Sequence, residues 1–589
     1  MQHAANQTAA ASESLPSAHP PKSSACLLNL PLRRKLLISA ATVLILATAI
    51  ILAIVFATRN SSHDDQPQGA GTSQQTLLAP DSAAQKEKQN HTEATSPPNA
   101  QLIPARLQFQ DVTLAANLRA DNSTLKLYGG PTVVDIDRDG FVDLILCYHD
   151  TYFVRLYFNN GNGTFSSSKW APWYDTHGIS ATPISPYTTN MRFSLSVGGN
   201  WGLNPRSPYL FEVDSTTRQV RNVTNEAGVY HMVGSGRTAL YTDLSMGANV
   251  AYPDVLFLNA PRRDPSVPHH FAYENVNGTH YTLRQLDDEF ALHKSSHGTV
   301  TDVDNDGVME IVTYWTLHVW KLVAPFKFED ISDVVLPAGL DRRACVAVAE
   351  IDFDNDGDFD LYVARRTMPW HKEAAFDDYL LENRNGTYVE VGAQAGVPRN
   401  TASRGVTVGD FNNDGLMDVF VVQHKSGDIF LMNNGNGTFS VVRDVIKREE
   451  GDVGDHAVAV DYDMDGRVDL MYGAGDHDKA VGRYRILKNG MAMNESTPNR
   501  YLHVRVKNAR EGGCTPLDAV VEVHLRDGSV MRRRVGSPGD AVAHSYLETL
   551  HFGLRAFHSA RKVVVTYASG FVDELRDVRA GHVASVGRM

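Results

Sequence analysis

The nine residues DFDNDGDFD, 352–360, run straight into an alternating strand pattern, FDLYVAR, and decide how the rest of the chain is read. The same frame recurs as DIDRDGFVD (135–143), DVDNDGVME (302–310), DFNNDGLMD (410–418) and DYDMDGRVD (461–469). Its consensus, D-x-[DN]-x-D-G-x-x-[DE], places oxygen-bearing side chains at positions 1, 3 and 5, glycine for a sharp turn at 6 and an acid at 9. Oxygen ligands at this density suit a hard cation of flexible coordination, Ca²⁺ before Mg²⁺, and neither zinc nor copper. One such loop is chance; five in register are a repeat.

The expected ligands are Asp135, Asp137, Asp139 and Asp143 in the first loop and Asp302, Asp304, Asp306 and Glu310 in the second. The third supplies Asp352, Asp354, Asp356 and Asp360, and the fourth Asp410, Asn412, Asp414 and Asp418. The fifth supplies Asp461, Asp463, Asp465 and Asp469, so about five Ca²⁺ are expected. An EF-hand shares D-x-D-x-D-G but needs Glu at position 12 and flanking helices. Position 12 here is Leu146, Thr313, Val363, Val421 or Tyr472, and the flanks alternate as strands do. Each loop is therefore predicted to be a calcium-binding β-hairpin turn.

The repeats share their second halves as well. LYFNNGNGTF (156–165), YLLENRNGTY (379–388) and IFLMNNGNGTF (429–439) read as a third strand, an Asn-Gly turn and a fourth strand. Four strands per repeat predict a propeller blade. First acids at 302, 352, 410 and 461, a worn repeat from Asp243, and a second blade around 190–212 that has lost its acids bring the count to seven. At the front, LQFQDVTLAANL (107–118) is an orphan repeat tail, predicted to fill the outer edge of the seventh blade and latch the ring.

The predicted fold class is thus all-β: a seven-bladed propeller (104–495) with calcium-binding hairpin loops and a small C-terminal β domain (499–589). Ahead of it, residues 36–57 are twenty-two consecutive residues without a charge, long enough to cross a hydrocarbon core of about 30 Å. Arg33, Arg34 and Lys35 abut their N-terminal end, which by the positive-inside bias puts a tail (1–35) in the cytosol and the remainder in the lumen or outside. A single transmembrane signal anchor of type II topology is the expectation. Residues 58–103, polar and poor in large apolar side chains, are predicted to be a flexible stalk.

Sequons at Asn60, Asn90, Asn122, Asn162, Asn222, Asn277, Asn385, Asn436 and Asn494 suit such a chain. Those at 162, 277, 385 and 436 are Asn-Gly-Thr, which is also plain turn chemistry. The net charge of −13 argues against a nucleic-acid partner, and nineteen of the 68 Asp and Glu are frame positions of the five loops. Four cysteines form no CxxC pair, and no HExxH, G-x-S-x-G, Walker or Rossmann motif occurs, so no catalytic residue is assigned.

These loops resemble the FG-GAP/VCBS repeats, whose best-known bearers are integrin α heads, over about 107–490. HFGL (551–554) and ASGFVDEL (568–575) are similar to the ASPIC/UnbV domain, although that domain usually carries Trp-Pro-Ser-Gly where this chain has Tyr567-Ala568-Ser569-Gly570. The combination resembles the cartilage acidic protein family and implies extracellular binding or adhesion toward a protein or glycan ligand. In integrin-like propellers the acidic loops lie on the lower face, which implies that Arg237, His297, Arg404 and His456, shortly before the loops, line the upper mouth. Two readings stand for that rim: it receives an acidic ligand group, or it pairs with neighbouring acids. For the whole chain the alternatives to an adhesion module are a propeller hydrolase or lyase acting on polysaccharide or lipid, and a lumenal folding or trafficking factor.

Overall fold

The loop at 352–360 joins the strand Cys345–Ile351 to the strand Asp360–Arg365, and the two pair antiparallel from Ile351↔Asp360 outward. Tyr379–Asn383 and Tyr388–Glu390 complete a four-stranded sheet in chain order. In this computed structural model residues 107–588 are described, apart from 119–129, 149–153, 170–175, 200–203, 263, 265–267, 367–375, 449–451, 477–478, 493–498 and 540–541. The expected tail, membrane span and stalk, with Asn60, Asn90, Asn122 and Asn494, lie outside the described residues. Among the described residues no helix is long and apolar enough to cross a membrane.

Seven antiparallel sheets follow one another, with first strands Pro131–Val134, Thr176–Pro183, Gly236–Thr242, His297–Thr301, Cys345–Ile351, Ser403–Gly409 and Gly454–Val460. Each first strand touches the first strand of the next sheet, and the seventh touches the first. The result is an all-β, propeller-like ring. The second sheet is present although its acids are lost, with Met191–Gly199, Tyr209–Val213 and Val220–Asn222 as its further strands. Phe109–Asp111 pairs antiparallel with Lys479–Asn489 and supplies the fourth strand of the seventh sheet, the place that the orphan repeat tail predicts.

Burial follows position in the ring. Gly236–Thr242 and Gly454–Val460 are buried at every residue, because a first strand has a neighbour on both faces. An outer strand such as Phe439–Arg443 buries only its first residue fully. The first strands also approach one another closely: a Cβ on Gly178 would stand 2.0 Å from the Arg237 carbonyl oxygen, so glycine is required there.

The C-terminal residues form two sheets. One orders Thr549–Arg555, Arg500–Val506 and Val583–Val586, and the other Val530–Arg534, Val520–His524, Ser559–Thr566 and Val572–Arg579. Both sheets fall with the ring in one compact unit, residues 100–589. The segment after Arg534 lies along the first strands of three sheets. The Val408 N–H donates to the Pro538 carbonyl (2.9 Å), the His544 N–H to Ile179 (2.9 Å) and the Tyr546 N–H to Val133 (3.0 Å).

Candidate metal centre

All five acidic loops adopt one conformation. Position 4 is left-handed in each, at Arg138, Asn305, Asn355, Asn413 and Met464 with φ between 57° and 60°. Asparagine tolerates that conformation, whereas Arg138 and Met464 carry a cost of about 1–2 kcal/mol. The glycine at position 6 also has positive φ throughout, from 80° to 99°. Its N–H points back into the loop: Gly140 donates to Asp135 (2.9 Å), Gly307 to Asp302 (3.0 Å), Gly415 to Asp410 (2.8 Å) and Gly466 to Asp461 (2.5 Å).

The ninth acid ties the hairpin to the third strand. Asp143 accepts the N–H groups of Ile136 (2.9 Å) and Asn159 (2.7 Å), Asp360 those of Phe353 (3.1 Å) and Asn383 (2.7 Å), and Asp418 those of Phe411 (3.0 Å) and Asn433 (2.8 Å). In the worn third sheet Asp254 keeps this role toward Leu244 (3.0 Å) and Asn275 (2.8 Å). The ninth acid thus has an architectural duty that outlasts the rest of the frame.

Four groups of carboxylates bring one oxygen from each member within 4.8 Å of the others: Asp135/Asp137/Asp143, Asp302/Asp304/Asp306, Asp352/Asp354/Asp356 and Asp461/Asp463/Asp465. Asp410, Asn412 and Asp414 occupy the same places in the fourth loop, where an amide replaces one acid. Asp139, Asp356 and the other fifth-position acids stand in the same turn, and their oxygens accept the N–H two residues on, as in Phe141 to Asp139 (2.9 Å) and Asp358 to Asp356 (2.8 Å).

A divalent cation fits these residues. Both carboxylate oxygens of Asp352 are buried without a hydrogen-bond partner, and so are Asp135 Oδ1, Asp463 Oδ1 and Asp469 Oδ2. An ionised oxygen left this way costs several kcal/mol unless a cation meets it. Burial, and then the charges of Asp354 and Asp356, push Asp352 up to about 7. Burial likewise pushes Asp302 up to about 6, Glu310 to about 7, Asp410 to about 7 and Asp360 to about 9. Without an added cation the loops hold more negative charge than they can keep ionised at neutral pH. Bound Ca²⁺ would supply that counter-charge through the carboxylates at positions 1, 3 and 5.

In four of the five sheets that carry an acidic loop, an asparagine on the third strand staples that loop to the neighbouring sheet; the third strand after loop 302–310, His318–Ala324, has none. Asn383 Nδ2 donates to the carbonyls of Phe359 (3.3 Å) and Val303 (2.8 Å), Asn433 to Met417 (3.1 Å) and Phe353 (2.7 Å), and Asn489 to Val468 (3.1 Å) and Phe411 (3.0 Å). Asn159 donates to Val142 (3.1 Å) and to Tyr462 (2.9 Å), which joins the first sheet to the seventh. These residues were hidden inside runs such as FNNGNGT, where the Asn-Gly turn draws attention. For Asn159, Asn383 and Asn433 the signal is an asparagine two or three residues ahead of the Asn-Gly-Thr turn, whereas Asn489 is followed directly by Gly490.

The C-terminal sheets rest on the loop face. Arg505 donates to the Gly140 carbonyl (2.5 Å), Arg532 to the Gly357 carbonyl and to Asn305 Oδ1 (2.8 Å), Arg555 to the Asp414 carbonyl (2.8 Å), and the Gly553 N–H to Asp410 (3.1 Å). His503 Nε2 lies 3.0 Å from Asp461 Oδ2. Every acidic loop is therefore touched. Arg534 is buried between Glu350 (2.9 Å) and Asp518 (2.7 Å), and the buried Arg533 faces Asp410, Asp418 and Asp352, its guanidinium pushed down to about 10 by burial.

At the opposite ends of the first strands, β-bulges fall at His177, Arg237, Val346, Arg404 and Asp455. A bulge re-aims its side chain, so equivalent positions are gathered at one mouth. Arg237 Nη1 lies 2.9 Å from His177 Nδ1, and Arg404 pairs with Asp455 at 2.9 Å. Burial and then the charges of Arg237 and Arg404 hold the His297 imidazole well below its usual value, which places His297 beside them. In the seventh sheet the bulge residue is Asp455, one before the expected His456. Of the sequons, Asn162, Asn222, Asn277, Asn385 and Asn436 are exposed, and the side chains of Asn162, Asn222, Asn277 and Asn436 accept from the Thr two residues on. Cys147, Cys345 and Cys514 are buried and act as small core residues.

Comparison with known proteins agrees with this geometry. The FG-GAP-like repeat matches residues 352–421 and 410–472, which span the third, fourth and fifth acidic loops. Mouse cartilage acidic protein 1 is 31% identical over 196 residues, 30% of this chain and 30% of its own length. The Xenopus tropicalis protein of that name is 27% identical over 196 residues, covering 29% and 30%, and the human one 28% over 194 residues, covering 30% and 29%. The chain thus spans about 30% of the length of the relatives it matches. A solved structure of BBS1N in complex with ARL6DN aligns with 65% of this chain and 98% of its own at 8% identity and a TM-score of 0.38, a likeness too slight to bear on the fold. The third to fifth acidic loops match the FG-GAP-like repeat, in a chain similar over part of its length to the cartilage acidic proteins.

Proposed function

We propose that the chain is a calcium-stabilised, seven-bladed propeller that works as an interaction module outside the cell or in the secretory lumen. It is carried on a single type II membrane span, residues 36–57, by a stalk at 58–103. The observation that carries the reading is the ring of seven sheets with its acidic loops on one face, four of them with grouped carboxylates and a buried oxygen that a cation would satisfy. The C-terminal sheets cover that face. A protein or glycan ligand is therefore left the bulged mouth and the outer sheet edges, and Ca²⁺ acts at a distance by keeping the ring rigid. Similarity to the cartilage acidic proteins and the exposed sequons favour an extracellular setting.

The test is capture of cell-surface or matrix ligands by the full-length protein in 2 mM-scale Ca²⁺ (about the extracellular level at which open sites fill) and again in EGTA. Calcium-dependent capture of a discrete ligand supports the reading, and turnover of a polysaccharide or lipid with no stable capture replaces it with an enzyme. Topology is read separately. Glycosidase-sensitive sequons and a protease-accessible N-terminal tail in sealed microsomes are expected, and a protected tail would overturn the type II orientation.

A further inference from the structure

We propose that the acidic loops are unequal and that loop 352–360 is the one strong calcium site, because in each of the other four a side chain of the same chain already bonds a carboxylate at the third or fifth position. The proposal rests on the calcium reading above and ranks its sites. In loop 135–143, Arg218 Nε lies 2.5 Å from Asp137 and Nη2 3.1 Å from Asp139, with its guanidinium over the Phe158 ring at 5.0 Å. In loop 302–310, Lys321 Nζ bonds Asp304 and lies 3.1 Å from Asp306 and 3.6 Å from Glu310. In loop 461–469, Lys488 Nζ bonds Asp463 and lies 2.9 Å from Asp465. Loop 410–418 has an amide at position 3, and Asn412 Nδ2 donates to Asp414 at 2.8 Å.

The two lysines occupy one register. Trp320 pairs with Ile311 and Leu487 with Leu470, each partner being position 10 of its loop, and the lysine is the next residue along the third strand. In the sheet of loop 352–360 that register holds Glu382, next to Leu381, which pairs with Leu361. An acid thus stands where the other two sheets carry an ammonium, and Glu382 is itself held by Arg384 at 2.6 Å. Among the described residues no cationic side chain is paired with Asp354 or Asp356. Asp352 is 2% exposed and has both oxygens without a hydrogen-bond partner, aimed into the same cluster. Arg532 approaches from the C-terminal sheets but gives its donors to the Gly357 carbonyl and Asn305.

The physical consequence is competition. Ca²⁺ entering loop 302–310 or 461–469 has to displace an ammonium that already bonds two of its ligands, while in loop 135–143 it has to displace a guanidinium. In loop 352–360 no ammonium or guanidinium bonded to the third or fifth ligand has to be displaced. The four loops with an internal partner are therefore expected to bind Ca²⁺ at least tenfold more weakly.

Calcium alone is the probe. The full-length protein in mild detergent, stripped with EGTA, is titrated calorimetrically with CaCl₂. One tight equivalent is expected, lost in Asp356→Asn, with a second tight equivalent gained in Lys321→Met and likewise in Lys488→Met. Lys321→Gln serves as the milder variant, read by a larger calcium-induced rise in melting temperature than the unaltered protein gives. Several equivalents of like affinity, or lysine variants that gain none, would overturn the ranking while leaving calcium binding in place. No calcium uptake at all would overturn the calcium reading itself.

Discussion

The two ends of the ring's first strands, about 20 Å apart at roughly 3.3 Å per residue, handle buried charge in opposite ways. At the bulged mouth the chain supplies both signs, as in Arg404 with Asp455, so the charges close on themselves. At the loop end acids dominate, and the C-terminal arginines mostly spend their donors on peptide oxygens such as those of Gly140 and Gly357. That end is left with carboxylates in need of a cation. At the mouth Arg404 and Asp455 pair within the chain, whereas the loop end keeps buried carboxylate oxygens without a hydrogen-bond partner.

The largest expected effect is at the seam between loop face and C-terminal sheets. Arg534→Ala strands Glu350 and Asp518 as buried unpaired acids and should cost about 3–5 kcal/mol in urea unfolding. A loss below about 1 kcal/mol, the range of an exposed pair, would mean that the seam is not held there. Withdrawing calcium comes next. A site of about 10⁻⁴ M affinity in millimolar Ca²⁺ contributes about 2 kcal/mol, so melting in EGTA should fall accordingly, and an indifferent melting curve breaks the contrast between the two ends.

The pH dependence follows in sign. Asp352 and Glu310 are pushed up to about 7 and Asp360 to about 9, so their contribution to stability is complete below the ordinary carboxylate range and is lost as pH rises through those values. Calcium-free protein should therefore melt lower at pH 9 than at pH 5, and Ca²⁺ should flatten that slope. Stability that rises with pH in EGTA would show that the acids are satisfied already. Asn433→Ala removes bonds to Met417 and Phe353 and should cost about 1–3 kcal/mol, with faster amide exchange in the loops it joins. Smallest of all, Arg237→Gln should leave calcium affinity unchanged, because the mouth lies beyond the screening length of about 8 Å from the loops. A shift in affinity would couple the two ends.

The loops, the sheet count and the closing strand were legible because each rests on local spacing repeated in register. Asp254 shows how far that reading reaches: its duty to Leu244 and Asn275 survives in a worn repeat that otherwise keeps only its first acid, Asp243. What escaped notice depends on contacts that no local pattern carries. Arg532, Arg533 and Arg534 read as part of a strand, VMRRRV, and their partners are Gly357, Asp410 and Glu350, far away in the chain and in part only peptide oxygens. Lys321 and Lys488 became visible as a pair once strand pairing set their register. The bulge of the seventh sheet falls at Asp455, one position before His456, a detail that alternation alone cannot anticipate.

The pairing of Phe109–Asp111 with Lys479–Asn489 has a consequence for synthesis. Asp111 and its partner Arg485 are 374 positions apart, so at about 5–20 residues per second the first strand of the ring waits about 20–75 s for its partner to be made. During that time six sheets can assemble while the ring stays open and one strand edge stays bare. Ring closure is a late event, and the C-terminal sheets, made last, seal a structure that translation has only just allowed to close.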